Sequence, residues 1–283
     1  MPESLPDLSI DATRVAAAAL AEDGLVDLTT AVTLRSPVSG QARIESRSPC
    51  VVAGLLYATT LARAAGCSIK WAVADGDRIG PRILGHMKGD LATLLRAERP
   101  ALNILQRACG IATATRALVD ALEGTGCRVL HTRKTVPGLR LLDAAAVVAG
   151  GGAIHRLDLS HTVMVKDNHW RALEREGRSL TEALAAARGR GAVACQVEVE
   201  SEAQVREACA AGADRLLIDN QPPEIVREWA AVARQAKPDV AIEATGGITI
   251  HTARAYAVAG ADYVSVGALT HSVTAADISL ELV

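Results

Sequence analysis

The chain has 283 residues, which is enough for two domains of ordinary size or for one large barrel. Hydrophobic residues make up 49% and charged residues 22%, as in ordinary globular proteins, and this composition excludes a disordered chain. The formal net charge is −2, whereas general binding to nucleic acid or to a membrane surface requires an excess of positive charge.

The predicted location is the cytoplasm. No apolar run is long enough to cross a bilayer, and the first ten residues carry Glu3 and Asp7 without the basic residues of a secretory signal. The six cysteines are scattered and form no CxxC pair, so we predict reduced thiols among apolar neighbours. Aromatic residues make up only 2%, which argues against a nucleic-acid surface of stacked aromatic rings. We therefore expect neither nucleic acid nor a membrane as a partner.

The first part of the chain predicts an α+β domain. A helix is expected through Ala21, capped by Ser9 or Asp11, because such side chains accept hydrogen bonds from the first helical N–H groups. Clustered strands with flanking helices are typical of an antiparallel sheet. Strands are predicted over 37–45, 50–55, 69–73 and 83–87, and helices over 55–65 and 92–124, with Arg99 placed just before the long helix.

From Cys127 onward, short β-branched runs alternate with helical stretches. The runs look apolar on both faces, which indicates parallel strands covered by helices, and repeated βα units favour a barrel. Strands are predicted over 128–130, 163–165, 193–199, 215–218, 240–242 and 263–266, and helices over 202–211, 224–235 and 252–259.

Cationic side chains follow several of these predicted strands. The carboxyl ends of barrel strands converge on one mouth, where chemistry is done. Arg grips planar carboxylates and phosphates through paired hydrogen bonds, and Lys supplies a point charge. Because like charges repel, we predict a substrate that carries several carboxylates and phosphates. The candidate cationic residues are Arg99, Arg133, Lys134, His155, Arg156 and Lys166.

Glycine-containing loops follow the last two strands, at Gly246-Gly247 and from Gly267. Barrels often bind phosphate at these two loops and at a helix N-terminus, although simple tight turns would show the same glycines. Alternation places Glu198 and Glu200 on one strand face, and Asp219 ends the next strand. Such carboxylates suit Mg²⁺, sugar hydroxyls or pairing with neighbouring cations. The histidines lack zinc spacing, so no structural metal is assigned.

Several motifs, in this order, resemble the quinolinate phosphoribosyltransferase family, also called nicotinate-nucleotide pyrophosphorylase (carboxylating). The resemblance extends from about residue 21 to the C-terminus. The motifs are ERPALNILQ (98–106), GIAT (110–113), TRKTVPGLR (132–140), GGG (150–152) with HR (155–156), KDNH (166–169), EATGGI (243–248) and VSVGALTHS (264–272).

The resemblance implies a type II phosphoribosyltransferase fold. An N-terminal α/β sandwich over 1–106, joined by the tail 273–283, would pack on an incomplete α/β barrel over 107–272. It also implies phosphoribosyl transfer from phosphoribosyl pyrophosphate to quinolinate, yielding nicotinate mononucleotide, pyrophosphate and CO₂, with Mg²⁺ as cofactor. The implied assembly is a homodimer whose subunits share each active site, with a higher oligomer left open.

Carried onto matching positions, the resemblance also implies residue roles. The residues that would hold the quinolinate carboxylates are Arg133, His155, Arg156 and Lys166, with Arg99 supplied by the partner subunit. Glu198 and Asp219 would serve the ribose hydroxyls and Mg²⁺, and together with Lys134 and Lys166 they form the predicted catalytic set. The predicted substrate-binding residues are Arg99, Thr132, Arg133, Lys134, His155, Arg156, Lys166, Glu198, Asp219, Thr245, Gly246, Gly247, Gly267, Ala268 and Leu269.

The chain departs from the family pattern at three places. His131 stands where relatives commonly have Asp, Val26 where Gly is usual, and 143–147 reads DAAAV in place of EKYAV. These departures keep open a paralogue that uses another pyridine carboxylate, or a molybdenum-associated relative. Two more distant alternatives are a barrel lyase that forms a Schiff base on Lys166 and a non-catalytic ligand binder.

Overall fold

The computed structural model describes residues 5–24 and 26–283, which divide into two compact units. One unit contains Ala117–Arg133 and Gly152–Gly267, and we call it the barrel unit. The other contains the described residues up to Arg116 together with Lys134–Gly151 and Ala268–Val283. Residues 1–4, which include Glu3 of the expected non-signal start, lie outside the described residues. The domain boundary predicted near residue 106 stays a prediction.

The second unit is built on an antiparallel sheet in the order β12-β1-β5-β3. Its central strand β1 pairs with β5 on one side and with the C-terminal strand β12 on the other. Alternate β1 residues Ala42, Ile44 and Ser46 are buried, as expected for a sheet with one face on the core. The strands are β1 (Ser39–Ser46), β3 (Ser68–Trp71), β5 (Arg82–Asp90) and β12 (Ile278–Leu282), and β2 (Cys50–Val51) pairs separately with β4 (Arg78–Ile79).

The strand predicted over 50–55 is wrong beyond Val51. Gly54 adopts a left-handed backbone with φ +89°, which ends the extended conformation and begins the following helix. The chain's helices before the barrel strands are α1 (Ser9–Glu22), α2 (Leu28–Thr33), α3 (Leu55–Ala65) and α4 (Leu91–Ala121), with α5 (Arg140–Ala149) further along.

Two details of these helices correct the prediction. Neither Ser9 nor Asp11 caps α1: its N-cap is Leu8, and the Asp7 carboxylate accepts the Ser9 N–H at 2.9 Å. Arg99 does not precede the long helix, because α4 continues through it and through Pro100. A proline inside a helix removes one hydrogen bond, here to the Arg96 carbonyl, and the buried apolar side of α4 outweighs that loss.

The barrel unit contains six parallel strands in the order β6-β11-β10-β9-β8-β7. From β7 to β11 consecutive strands are neighbours, and the last strand β11 pairs with the first strand β6, which is barrel topology. Within the described residues β6 and β7 stand at opposite ends of this order, so the barrel is incomplete, as predicted. The strands are β6 (Arg128–Leu130), β7 (Thr162–Val165), β8 (Ala194–Val199), β9 (Arg215–Asp219), β10 (Ala241–Thr245) and β11 (Tyr263–Ser265).

Helices cover one face of this sheet. Val197, Leu216 and Ile242 share a buried apolar cluster with helical residues such as Val205 and Trp229. The helices are α6 (Asp167–Arg175), α7 (Leu180–Gly189), α8 (Glu202–Ala210), α9 (Pro223–Ala236) and α10 (Ala253–Val258); the short α11 (Ala268–His271) belongs to the other unit. In the part of the chain that is described, no helix has the length and apolar character to span a bilayer.

The opposite, inner face of the barrel sheet carries several buried polar side chains beside apolar ones such as Leu217, which corrects the prediction of strands apolar on both faces. Strand alternation turns every second side chain away from the helices. The inner-face side chains include the buried Gln196, Glu198, Arg215, Glu243 and Ser265. The helix-facing residues of the same strands are apolar. These apolar residues are the reason that the sequence suggested strands apolar on both faces.

The tail that ends in β12 packs closely on α4. A methyl group added at Gly110 would lie 2.3 Å from the Thr274 carbonyl oxygen and 3.2 Å from Ala275 Cα. We therefore expect Gly110→Ala to lower the free energy of unfolding by about 1–3 kcal/mol, measured by urea denaturation. Gly189→Ala, at the end of α7 with no atom within 4 Å of the added methyl, is the matched control and should not destabilise. Equal stability of the two variants would contradict this packing.

Candidate active site

Lys166 and Glu198 form an ion pair at the carboxyl end of the barrel strands. Lys166 immediately precedes α6, and its backbone N–H donates to His169 Nδ1 at 3.0 Å. Its Nζ donates to Glu198 Oε2, whose side chain is 7% exposed against 41% for Lys166. Trp170 Nε1 donates to the Glu198 carbonyl at 2.8 Å. The KDNH motif therefore fixes the Lys166 ammonium beside a buried carboxylate while leaving it partly open to an anionic ligand.

Glu243 lies at the centre of a buried network on the inner face. Its carboxylate accepts hydrogen bonds from Arg215 at 2.9 Å, from His155 Nε2 at 3.1 Å and from the Ser265 hydroxyl. Burial alone raises the pKa of Glu243, but the hydrogen bonds of His155 and Ser265 and the charge of Arg215 outweigh it and hold that pKa below its usual range. Arg215 also stacks on the Tyr263 ring, 4.0 Å from its centroid.

Arg133 and Arg156 form the cationic part of the site. Arg156 follows His155, and burial together with the positive charge of Arg133 lowers the pKa of Arg156, whereas the Glu243 carboxylate acts in the opposite direction. Arg133 Nε is buried without a hydrogen-bond partner among the described residues. A buried donor without an acceptor costs about 1–3 kcal/mol, so this guanidinium favours a ligand with a carboxylate or phosphate oxygen.

Asp219 is oriented by Asn220 at the end of β9. Asn220 is the only non-glycine residue among those described with a positive φ, 52°, and its Nδ2 donates to Asp219 Oδ2 at 2.8 Å. Its N–H donates to the Thr245 carbonyl at 2.9 Å, which joins the ends of β9 and β10. A Cβ on Gly246 would lie 2.2 Å from Asn220 Oδ1, so only glycine fits this loop.

The predicted pairing of Glu200 with Glu198 on one strand face is wrong. Strand β8 ends at Val199, so the alternation stops there. Glu200 is exposed, and its N–H donates to Gln204 Oε1 at 2.7 Å at the start of α8. Glu198 is therefore the strand-end carboxylate of β8 on the inner face.

The predicted site residues divide between the two units. Gly246 and Gly247 both have positive φ at the end of β10, and the Gly247 position is exposed. The barrel unit carries Thr132, Arg133, His155, Arg156, Lys166, Glu198, Asp219, Thr245, Gly246, Gly247 and Gly267, and the other unit carries Arg99, Lys134, Ala268 and Leu269.

In the second unit, Arg99 is exposed on α4 beside a cavity of about 340 Å³ that Asn103 and Arg107 also line. The Lys134 carbonyl accepts the Thr270 hydroxyl at 2.8 Å. Ala268 and Leu269 lie in the short α11, where Leu269 is buried. All four of these residues belong to the second unit.

Two departures from the family pattern have structural explanations. Asp143 is fully buried and accepts two hydrogen bonds from Arg107, at 2.8 and 2.7 Å, so it serves as a structural ion pair. Burial raises the pKa of Asp143, and the Arg107 charge partly offsets this. His131 is also fully buried, with Nδ1 3.2 Å from the Thr132 carbonyl oxygen. Both side chains therefore pack inside their own units and do not project into solvent.

Four residues of this site were not predicted from the sequence: Glu243, Arg215, Ser265 and Asn220. The first three occupy alternate, inner-face positions of strands that otherwise read as apolar. A search for polar residues at period two within these strands would have found them. Asn220 shows no sequence signal beyond its place after a strand.

An incomplete α/β barrel with cations, carboxylates and glycine loops at its strand ends defines a barrel enzyme that acts on a multiply anionic substrate. A family model for the quinolinate phosphoribosyl transferase C-terminal domain matches residues 111–281, and the model for the N-terminal domain matches residues 27–109. The chain therefore belongs to the quinolinate phosphoribosyltransferase family, as the motifs predicted.

Individual relatives agree with this assignment. The chain is 39% identical, over 98% of its length and 100% of the relative's, to a nicotinate-nucleotide pyrophosphorylase [carboxylating] of Mycobacterium leprae. It is 38% identical, over 86% of its length and 82% of the relative's, to the human protein of the same name. The structure of the nicotinate-nucleotide pyrophosphorylase from Francisella tularensis superposes with a TM-score of 0.89 at 30% identity, covering 99% of this chain and 98% of that one.

The contact between Gly246 and Asn220 makes a testable prediction. Gly246→Ala should abolish the loop geometry, because the methyl overlaps Asn220 Oδ1 and the backbone has φ +87°. We expect the Kd for a phosphorylated ribose ligand, measured by calorimetry, to rise at least about tenfold. Gly212→Ala, which also has a positive φ but no atom within 4 Å of the methyl, controls for backbone strain alone. Matching affinities in the two variants would show that the Asn220 contact is irrelevant.

Proposed function

We propose that the protein transfers the phosphoribosyl group of phosphoribosyl pyrophosphate to quinolinate, with decarboxylation, as a step of NAD biosynthesis. The products are nicotinate mononucleotide, pyrophosphate and CO₂. The observation that carries this proposal is a pair of guanidiniums, Arg133 with its buried, unpaired Nε and Arg156, whose pKa the Arg133 charge lowers, in a chain of this family. A dicarboxylate is the ligand that such a pair suits best.

Quinolinate binding follows from the charges of the site. Arg133 offers a buried Nε donor, and planar guanidinium groups bind carboxylates through paired hydrogen bonds. The Lys166 ammonium, which pairs with Glu198, can also pair with the second carboxylate of quinolinate. The partner's Arg99 completes the proposed quinolinate set, with Thr132 beside Arg133. His155 belongs to the set through Arg156, whose backbone N–H it accepts.

Glu198 and Asp219 serve the ribose. Register places Glu198 opposite Leu217, two residues before Asp219, so both carboxylates belong to the inner face. Departure of pyrophosphate leaves positive charge on the ribose ring, which carboxylates in a preorganised site stabilise. The pyridine nitrogen donates its electron pair to ribose C1, and the bond from C1 to pyrophosphate breaks. Lys134 and Lys166 stabilise the negative charge of the leaving group.

Decarboxylation follows from the charge on the ring. Once the nitrogen carries the ribose, it is positive and can accept the electrons left when the adjacent carboxylate departs as CO₂. The electron pair of the broken carbon–carbon bond stays on the ring carbon, and a proton then replaces CO₂ there. Arg133 and Arg156 hold the remaining carboxylate, which keeps the ring in place during both steps.

Magnesium and phosphate binding are also proposals. The described residues contain no group of three or more His, Cys, Asp or Glu side chains that could hold a metal ion. Two inner-face carboxylates, Glu198 and Asp219, nevertheless fit Mg²⁺, which takes one or two protein carboxylates plus substrate phosphates. When bound, Mg²⁺ supplies positive charge to the leaving pyrophosphate. The 5′-phosphate would lie on Thr245–Gly247 and Gly267–Leu269, where turn glycines expose backbone N–H groups to an anion.

The proposed assembly is a homodimer with a shared site. Arg99 is exposed on α4, and Ile10, Leu28 and Val32 in the same unit are each more than 70% exposed, which is costly for apolar side chains unless a partner covers them. A higher oligomer stays open, and the cytoplasmic location stays a prediction.

The alternatives have specific difficulties. A Schiff-base lyase needs a neutral lysine amine, whereas Lys166 is an ammonium paired with Glu198. A paralogue that uses another pyridine carboxylate shares all of the contacts described, so only turnover distinguishes it. A non-catalytic binder would return its ligand unchanged.

The deciding experiment combines the protein with quinolinate, phosphoribosyl pyrophosphate and Mg²⁺ and measures nicotinate mononucleotide and CO₂. Nicotinate and isomeric pyridine dicarboxylates serve as competing acceptors, and samples without Mg²⁺ test the metal requirement. We expect turnover with quinolinate. A folded protein that turns over another acceptor but not quinolinate, or none at all, would reject the proposal.

Arg133→Ala should weaken quinolinate binding by about 2–4 kcal/mol, or about 30- to 1000-fold in Kd by calorimetry, because the bound carboxylate loses its paired donor. Arg128→Ala removes the same charge from an exposed position at the other end of the same chain segment, at the start of β6, and should leave Kd unchanged. An unchanged Kd in the Arg133 variant would exclude the proposed contact.

A shared site predicts complementation between inactive subunits. Chains with Arg99→Ala and chains with Lys166→Ala should each be inactive alone. When equal amounts of the two are mixed and allowed to exchange subunits, about a quarter of the sites would be intact, because about half of the dimers are mixed and one of the two sites in each mixed dimer has both residues. Mass spectrometry would verify the exchange. No recovery of activity in verified mixed dimers would mean that each subunit forms its own site.

A further inference from the structure

We infer that Glu243 is a positioning residue for quinolinate binding: from the inner face of the barrel it holds the His155 ring and, through it, Arg156 in place. This inference deepens the proposed function and rests on it for the identity of the ligand. The contacts that carry it all lie within the barrel unit.

The hydrogen bonds of His155 leave no ring N–H for a substrate. Its Nδ1 accepts the Arg156 backbone N–H at 2.7 Å, so the ring carries its proton on Nε2. That proton is donated to Glu243 Oε2 at 3.1 Å, and the His155 side chain is only 6% exposed. His155 therefore works as a link: one nitrogen is anchored to Glu243, and the other orients the backbone of Arg156.

The segment that carries His155 has no regular secondary structure to hold it. Its other anchors are backbone hydrogen bonds to the edge of β6, where Ala153 N–H donates to the Val129 carbonyl at 2.7 Å. After Ala153, the hydrogen bond between His155 and Glu243 joins this segment to β10, in the middle of the sheet. Arg156 is only half-buried, so few packing contacts restrain it. Loss of the His155–Glu243 hydrogen bond would therefore let the Arg156 guanidinium move.

Charge points to the same role. Arg156 and Arg133 repel one another, and the Glu243 carboxylate opposes this repulsion. Glu243 therefore supplies a counter-charge to Arg156 before an anion binds. Loss of the carboxylate would remove both this counter-charge and the acceptor of the His155 Nε2–H.

Arg215 supplies the competing explanation. It is nearly buried and donates to the same Oε2, so Glu243 could be present only to neutralise Arg215. Replacing Glu243 alone would leave that guanidinium buried without a counter-charge, which strongly destabilises proteins. The informative variant is the double replacement Glu243→Leu with Arg215→Met, because it removes both charges and the acceptor of the His155 Nε2–H while keeping the volume similar.

The double variant separates the two roles. If Glu243 only neutralises Arg215, the double variant recovers both the thermal midpoint and the Kd for quinolinate, and the inference is wrong. If Glu243 positions His155 and Arg156, the Kd for quinolinate rises at least tenfold in calorimetry, while the Kd for phosphoribosyl pyrophosphate changes less than threefold. Equal weakening of both ligands would indicate general loosening of the barrel and would also overturn the inference.

A spectroscopic measurement keeps the test independent of the proposed function. In protein labelled with ¹⁵N-histidine, wild-type His155 should show a slowly exchanging Nε2 proton, assigned by its loss in His155→Gln. The double variant should lose this signal, and its persistence there would overturn the inference. Wild-type protein that shows the signal but fails to bind quinolinate would refute the proposed function and leave the anchoring of His155 intact.

If the double variant does not fold, Ser265→Ala serves in its place. It removes one donor to Glu243 and keeps both charges, so Arg215 remains neutralised. We expect faster exchange of the His155 Nε2 proton and a two- to fivefold rise in the Kd for quinolinate. No change in either quantity would overturn the inference.

Discussion

The site depends on cations that are held close together by buried carboxylates. Four positive side chains, Arg133, Arg156, Arg215 and Lys166, are placed in the barrel unit, and two inner-face carboxylates oppose them. Glu243 and Glu198 are nearly inaccessible, so water screens these pairs little. A cationic site with its own counter-charges can be assembled before an anion arrives, and binding then exchanges one set of partners for another.

This arrangement revises the reason for a crowd of like charges. The sequence predicts that a bound polyanion offsets the repulsion between the cationic side chains. The structure shows that Lys166 already pairs with Glu198 and that Glu243 acts on Arg156. Arg133 differs, because its Nε has no acceptor among the described residues. An anionic ligand is therefore expected to bind mainly at the Arg133 guanidinium, because Glu198 already pairs with the Lys166 ammonium.

The polar inner face also explains how one sheet serves both stability and chemistry. Apolar residues at every second position pack against the helices, and several of the residues between them are buried polar side chains on the inner face. Buried ionic groups rarely add stability compared with an apolar core, but they do fix the positions of the groups they contact. In this barrel unit the inner-face residue Glu243 is bonded to His155, and His155 is bonded in turn to the backbone of Arg156.

The sequence by itself determined the family, the order of strands and helices and most of the charged residues, because these follow from long motifs and from local hydrophobic period. The strand limit at Val51, the course of α4 through Pro100 and the outward turn of Glu200 followed from backbone conformation at single residues, which local pattern does not resolve. Only the tertiary structure brought Glu243, Arg215, His155 and Ser265 together, because hydrogen bonds between distant strands depend on sheet register. A period of two marks such polar positions within a strand, but only the neighbouring strands decide whether the residue is a surface charge or the centre of a buried network.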